Sequence, residues 1–541
     1  GVFNGHDASC CVLENGVPTL HAELERYIRE KEPAGDSVQL LFDTYTDVDD
    51  IQYLATCYPH SKMEGYPEST DRLRKIVNDN GGQVYIMSHH QAHAANTFFS
   101  SNYDESLIIT MDGGGVESDN PPTYTCTTIW KGNDNKIEEI HKYDHHKVNI
   151  GALWTRCTRY IFKLQSGWPY GHQAGTVMAL ATIPGADGNR FYEDFRKMLT
   201  TDLAQAANKP STQPRGAYTG NDPIHPYLDK WVKLAEQDDQ TKYDIAASLQ
   251  KATEKSFRDI IRYALSQHKS ENLCLAGGVA LNSVAVAKIY DWFPEIKNIY
   301  VTPTPHDGGL TLGAAQYVWH QVLDKPRINW NDNCPASLGE LYSKDVIKKT
   351  IDKFKDKIVV EEANDSQVLD LLENQKIISV FGGGSESGRR ALGNRSILAD
   401  PRSPKMKDMI NEKVKHRQWF RPFAPSMLRE EVKNWFERDI DSPYMSFCLK
   451  FKEDMKDKVP AVLHFDGTAR LQTVSEKDNK WYHGFISKWF KKSGVPIVLN
   501  TSFNDREPIV ETPEHAINCF MGTNIDYLYF YDVGLLISKK I

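Results

Sequence analysis

Short apolar runs that break off at glycines recur along the chain, a pattern that predicts strands feeding tight turns or helices. The opening GVFNGHDASCCVLENG reads as strand, glycine turn, strand, with Asn15-Gly16 as a two-residue hairpin signal. Leu107, Ile108 and Ile109 predict a buried strand that runs into Asp112 and a glycine turn. LCLAGGVALN (273–282) predicts a strand entering a helix, and PTPHDGGLTLGAA places Asp307 beside two more glycines. Glycine at such points lets backbone amides come close to a phosphate or another ligand. The repeated strand, glycine and aspartate arrangement predicts an internally duplicated phosphate-binding α/β fold.

Between about 185 and 270 the period becomes helical: Ile245, Leu249, Ala252, Phe257, Ile260, Ile261 and Ala264 form one apolar stripe, which predicts a core-facing helix. KPSTQPRGAYTGNDP (209–223) is turn-rich and expected to be exposed, and KPRINWNDNCPASLGE (325–340) reads as a linker. Beyond it, KIISVFGGG and VPIVLNTSF predict buried strands. The organisation expected is therefore two domains, 1–334 and 335–541.

Composition narrows the classes. A chain of 541 residues is too long for one ordinary core. With 64 basic against 72 acidic residues the net charge is −8, which argues against extended nucleic-acid binding but allows local basic clusters. No apolar run approaches the roughly 20 residues that span a bilayer, so no membrane partner is expected. The nine cysteines include no C-x-x-C pair, and adjacent Cys10 and Cys11 read as core filling. A reducing, cytoplasmic setting without zinc ribbons is expected.

The chemistry begins with His89 and His93 in SHHQAHA. Residues i and i+4 share a helix face, so both imidazoles can reach one ion. Asp112 and Asp307 would complete a nitrogen- and oxygen-rich set suited to zinc, iron(II) or manganese. His90 points off that face and is excluded; His145 and His146 lack a glycine frame and read as surface residues. His6, at a strand end beside Asp7, is a candidate general base near neutral pH.

The second half carries a different signature. In SESGRRALGNRSILADPR (385–402), Arg389, Arg390 and Arg395 alternate with apolar residues, which predicts guanidinium groups directed into a cleft. KVKHRQWFRPFAPS adds Lys415, Arg417 and Arg421 among Trp419, Phe420 and Phe423. Guanidinium groups bind phosphate in bidentate fashion, and aromatic neighbours exclude water. Arg470, in DGTARLQTV, and Asn500, Thr501 and Ser502, in LNTSFN, supply further polar groups that suit a small planar amide. No Walker lysine motif is present, so phosphates would be held by arginines. Surface binding of a nucleic-acid backbone would not bury the basic residues with aromatics.

Together GHDAS, HHQAHA, MDGGG, AGGVALN, PHDGG, RALGNRSILADPR, RPFAPS, DGTARLQTV and LNTSFN resemble, in order, the NodU/CmcH family of O-carbamoyltransferases. The resemblance implies an N-terminal actin/hexokinase-like (ASKHA, TsaD-like) duplicated domain and a C-terminal YrdC-like α/β domain. It implies Fe²⁺ on His89, His93, Asp112 and Asp307, His6 as the base for an acceptor hydroxyl, and Lys31 near the acceptor. It places Gly277, Gly278 and Asn282 along a nucleotide. By motif position, Arg390, Arg395 and Arg421 would hold ATP, with Mg²⁺ accompanying it, while Lys415, Arg470, Asn500 and Ser502 would hold carbamoyl phosphate. The implied reaction makes carbamoyl-adenylate and carbamoylates a hydroxylated small metabolite, with no nucleic-acid partner. Thr176 stands where family members often carry lysine, so a phosphate contact from that lysine is missing. Three rivals are a HypF-type enzyme, a tRNA threonylcarbamoyl transferase and a non-catalytic nucleotide sensor. The first expects cysteine-pair zinc fingers, the second sits poorly with the acidic charge, and the third needs only one pocket. The acceptor would be chosen by loops near 35–70 and 209–223.

Overall fold

The computed structural model describes residues 1–58, 67–119, 121–144, 148–164, 173–200, 226–328 and 336–540. The loop at 209–223, part of the 35–70 region, and His145 and His146 lie outside the described residues, as does the expected boundary near 335. The fold is mixed α/β, and the chain forms two compact units, Gly1–Asn331 and Asp332–Ile541.

Unit 1 opens with an antiparallel sheet of β1 (Val2–Phe3), β2 (Ser9–Glu14) and β3 (Val17–Glu23). Asn15 and Gly16 form the β2–β3 turn with φ of 50° and 87°, both left-handed, as a two-residue hairpin matched to strand twist requires. Cys10 and Cys11 are both buried in β2. Two parallel strands, β4 (Tyr53–Cys57) and β5 (Gln83–Met87), form a small separate sheet. The central sheet runs β10-β9-β6-β7-β8, from β6 (Glu105–Asp119), β7 (Pro122–Asn133), β8 (Lys136–Asp144), β9 (Asn272–Ala276) and β10 (Asn298–Val301). Leu107, Ile108 and Ile109 are wholly buried where β6 pairs in parallel with β9 and antiparallel with β7. The apolar stripe of 245–264 lies buried on the helix Asp239–Gln267.

Two expectations need correction. The glycines after Asp112 do not form a turn that ends the strand: β6 runs through them, with its register slipping between Met111 and Gly115. A bulge of this kind re-aims a side chain without ending the pairing. Glycine is required there because a Cβ on Gly115 would lie 2.2 Å from the His89 ring. The start of the expected linker is also tied down. Arg327 donates to the carbonyls of Phe98 (2.9 Å), Ser101 and Tyr103, capping the end of the helix His89–Phe99.

Unit 2 is built on one nine-stranded sheet, β11-β19-β18-β12-β13-β17-β14-β16-β15. Its strands are β11 (Ile358–Glu362), β12 (Ile378–Phe381), β13 (Arg395–Ala399), β14 (Ala424–Leu428), β15 (Phe447–Lys450), β16 (Thr468–Val474), β17 (Ile497–Ser502), β18 (Tyr527–Phe530) and β19 (Leu535–Lys539). Most neighbours are antiparallel; β12–β18 and β14–β16 are parallel. The helix Lys480–Ser493 contributes Tyr482, Phe485, Ile486 and Trp489 to the core beside Val380, Leu398 and Val498. The polar residues of interest sit on β13, β16 and β17 and in the loops entering β13 and β14.

Candidate active sites in the two units

In unit 1, Ser88 caps the helix His89–Phe99 by accepting from the Gln91 amide, and His89 and His93 follow on one face, fully buried. Asn96 on the same helix donates to the Thr304 carbonyl (2.9 Å), which anchors the segment leading to Asp307. Gly313 lets the helix Leu310–Tyr317 cross closely, since a Cβ there would lie 1.9 Å from the Ala92 carbonyl oxygen. These long-range contacts bring the four residues together. His93 Nε2 is 3.1 Å from Asp112 Oδ2 and 3.4 Å from Asp307 Oδ1, while His89 Nε2 is 3.9 and 3.5 Å from the same atoms. The two Nε2 atoms are 3.1 Å apart.

This geometry fits a divalent ion. Ligands about 2.0–2.2 Å from a tetrahedral centre are separated by roughly 3.3–3.6 Å, within the spread of these contacts. The carboxylates of Asp112 and Asp307 supply two negative charges for a dication to balance. Burial alone would raise the carboxyl of Asp112, but hydrogen bonds from His89 and His93 hold it well below the ordinary carboxylate range. Burial would lower His89, yet Asp307 and Asp112 push it up to about 10. Backbone amides support the set: Gly113 N and Gly278 N donate to Asp112 Oδ1 and Oδ2.

His90 is set apart, as helix geometry anticipated. Its Nε2 donates to the Thr125 carbonyl (3.0 Å) and its Nδ1 accepts from Thr110 Oγ1 (2.6 Å). Thr128 and then Trp130 Nε1 continue this buried ladder.

The three residues aligned with a nucleotide have other partners. Gly277, at φ 87°, is packed so closely that a Cβ would lie 2.0 Å from the Met111 carbonyl oxygen. The Gly278 amide serves Asp112. Asn282 Oδ1 caps the helix Ser283–Trp292, and its amide exchanges hydrogen bonds with Gln250 (3.0 and 3.2 Å). Their placement therefore supports the ion cluster and the fold. Thr176 is buried.

His6 lies in the turn between β1 and β2, partly exposed, with Nδ1 3.1 Å from the Glu32 carbonyl oxygen. Its Nε2 faces Asp7 Oδ2 (3.5 Å) and Glu32 Oε2 (3.8 Å). Lys31 is half-buried in the bend beyond the helix Leu24–Ile28, not on a helix face. Glu32 gave no signal in the sequence, because its approach to His6 depends on its left-handed backbone, φ 56°.

In unit 2 the basic residues divide into two groups. Arg395 and Lys415 belong to the wall. Arg395 is wholly buried, its guanidinium over the Phe381 ring and bonded to the carbonyls of Gly382 (2.7 Å), Gly383, Asn394 and Glu511. This corrects the expectation that it faces the cleft: its donors are already spent on backbone. Lys415 Nζ binds Asn504 Oδ1 and carbonyl oxygen (both 2.7 Å) and the Ser502 carbonyl. Asn500 Nδ2 reaches the Ala391 carbonyl, Ser426 Oγ and Gln472 Oε1, leaving Oδ1 buried without a partner.

Arg390, Arg421 and Arg470 form the second group, with Arg417 behind them. Burial, together with the charges of Arg470 and Arg389, pulls Arg390 far below the ordinary guanidinium range. Burial and Arg470 push Arg421 down to about 10. Arg470 stands opposite Cys448 across β15 and β16, and its Nε is buried without a partner. Among the described residues no carboxylate pairs with Arg390, Arg421 or Arg470. Clustered guanidinium groups without counter-charge form a site prepared for a polyanion. The loop entering β13 is held by Glu386, which accepts from the amides of Leu392, Asn394 and Arg395 (2.7, 2.7 and 3.3 Å). Glu386, Gln472 and Asn504 are missed by motif reading, since Glu386 holds the amides of its own loop, Gln472 bonds the Leu392 carbonyl and Asn500, and Asn504 takes the Lys415 ammonium.

Comparison with known proteins agrees in both halves. Residues 58–316 match the family model described as Carbamoyltransferase N-terminus and residues 369–537 match Carbamoyltransferase C-terminus. The chain is 32% identical to nodulation protein NolO of Bradyrhizobium diazoefficiens, over 84% of this chain and 79% of that protein. It is likewise 32% identical to nodulation protein NolNO of Sinorhizobium fredii, over 99% of this chain and 79% of the other. A solved structure of full-length HypF in the phosphate- and nucleotide-bound form aligns at 14% identity and a TM-score of 0.33, over 60% of this chain and 55% of that one. Both matched segments and the NolO and NolNO identities place the chain in the carbamoyltransferase family, as an enzyme that transfers carbamoyl groups.

Proposed function

We propose that the protein is an ATP-dependent O-carbamoyltransferase acting on a hydroxyl of a small natural product. Unit 1 would be an actin/hexokinase-like duplicated domain, and unit 2 a YrdC-like domain. The supporting observation is that the chain carries two unlike sites: a buried four-ligand cluster in unit 1 and a carboxylate-free arginine cluster in unit 2.

In unit 2, Arg390, Arg421 and Arg470 neutralise the phosphates. The balanced step consumes ATP, carbamoyl phosphate and water and yields carbamoyl-adenylate, pyrophosphate and phosphate. The C–O–P linkage of carbamoyl phosphate opens, and the carbamate oxygen attacks the α-phosphorus of ATP. In unit 1 the acceptor hydroxyl attacks the carbamoyl carbon; AMP leaves, and the hydroxyl proton passes to His6. The Glu32 carbonyl only accepts, so Nδ1 carries the ring proton and Nε2 is the basic atom. The imidazolium then lies between the carboxylates of Asp7 and Glu32, which stabilise it. Iron(II), held by His89, His93, Asp112 and Asp307, would polarise the carbamoyl carbonyl when bound.

The test is acceptor-independent. The enzyme, ATP, Mg²⁺ and carbamoyl phosphate are incubated with hydroxylamine, which intercepts carbamoyl-adenylate as hydroxyurea. ATP-dependent hydroxyurea with one pyrophosphate released per turnover is expected; no ATP dependence would overturn the reading. Mass spectrometry of products from a panel of hydroxylated metabolites then identifies the acceptor.

A further inference from the structure

One feature of unit 2 is unused by this chemistry: an exposed aromatic platform joined to the arginine cluster. Trp419 is 58% exposed and Phe465 40% exposed, unusual for large apolar rings. They meet at 5.8 Å between centroids and 71° between planes, and Phe420 braces Trp419 at 5.9 Å. The Trp419 and Arg421 carbonyls both accept from Asn411 Nδ2 (3.3 and 3.0 Å), which fixes the indole relative to the start of the arginine cluster. Lys407 Nζ lies 4.6 Å from the centroid of Phe465. His464, next to Phe465, holds Nδ1 against Thr468 Oγ1 (3.1 Å) and leaves Nε2 buried without a partner. Burial, with Arg470 and Lys407 close by, pushes this imidazole down to about 4 although Asp466 acts against it, so it is neutral at working pH.

An exposed indole face beside unneutralised cations suits one ligand class, a planar heterocycle linked to phosphates. We propose that Trp419, walled by the near-perpendicular Phe465, forms the nucleobase platform of unit 2, stacking the base of the nucleoside triphosphate whose phosphates the arginines take. This rests on the reading of unit 2 as the nucleotide-activating site.

The experiment uses the full chain and the hydroxylamine assay, with inorganic tripolyphosphate as a base-free competitor. Trp419→Ala should raise KM for ATP by about tenfold, the scale of an aromatic–base stack. It should leave kcat within about twofold and the inhibition constant of tripolyphosphate unchanged. Trp419→Phe should restore most of the affinity. An unchanged KM for ATP in Trp419→Ala overturns the platform while leaving ATP activation intact. Equal weakening of ATP and tripolyphosphate also overturns it, by locating the effect at the phosphates. A changed oligomeric state with unchanged KM would mark the patch as a protein contact instead. If the wild-type enzyme makes no ATP-dependent hydroxyurea, the nucleotide reading fails and the platform with it.

Discussion

The Nε2 atoms of His89 and His93 face each other at 3.1 Å in a fully buried space, with Asp112 and Asp307 closing the ring. Two imidazole nitrogens in this arrangement repel unless a proton or a metal ion lies between them. A bound divalent ion would take the place of that proton, and under the proposed metal assignment its binding would add to local stability.

Loss of one ligand should lower metal content while the overall fold persists. His93→Ala is expected to lower bound metal more than about tenfold, with circular dichroism preserved. Elemental analysis of the purified protein checks this, and an unchanged metal content would remove His93 from the set.

Arg395 and Arg470 should respond in opposite senses. Arg395→Ala strands the carbonyls of Gly382 and Gly383 and empties a wholly buried volume, so a loss of about 3–5 kcal/mol is expected. Arg470→Met relieves repulsion among unpaired guanidinium groups, so ligand-free stability should hold or rise by about 1 kcal/mol while pyrophosphate binding weakens. Urea melts with and without pyrophosphate distinguish the two. A destabilised Arg470→Met would contradict the division into wall and pocket.

Asn282 is expected to act through stability and not through nucleotide affinity. Asn282→Ala removes a helix cap and leaves the Gln250 Oε1 without the donor it has in Asn282, a loss of about 2–3 kcal/mol. KM for ATP should stay unchanged; a large rise would return Asn282 to the nucleotide site.

The pH dependence of stability has a buried source. His320 is held down to about 4 chiefly by burial, with Arg327 adding to the shift against hydrogen bonds to the Lys325 and Pro326 carbonyls. Its ordinary value is near 6.5, so between pH 6.5 and 4 the unfolded chain takes up a proton that the folded chain refuses. Stability then falls as pH falls through that window, by up to about 1.4 kcal/mol per unit, and is flat above it. Urea midpoints at pH 7.5 and 5 should show the drop, and His320→Gln should reduce it. An equal slope in the variant would assign the effect elsewhere.

Much of unit 1 was legible because its signals are local. The i, i+4 spacing put His89 and His93 on one face and His90 on another, and Asn15-Gly16 specified its hairpin. The glycines after Asp112 misled, since a bulge and a turn share the same residues, and only the close pass of His89 separates them. In unit 2 the arginines stood out as a group, but alternation with apolar residues could not tell Arg395 from Arg390. That distinction depends on Phe381 and the carbonyls of 382–383 arriving from another strand.

The sequence by itself determined the apolar runs, their caps and turns, and the residue types able to hold a cation or a polyanion. Those properties depend on φ, ψ preferences and side-chain period over a few residues. Tertiary structure decided which candidates keep unspent polar atoms. Asn282, Arg395 and Lys415 lose theirs to partners many residues away, Arg470 keeps its Nε, and His89, His93, Asp112 and Asp307 turn theirs toward one another. A buried donor or acceptor must be satisfied wherever the fold supplies a partner, and that supply is set by strand register and helix crossing, not by neighbours in the chain.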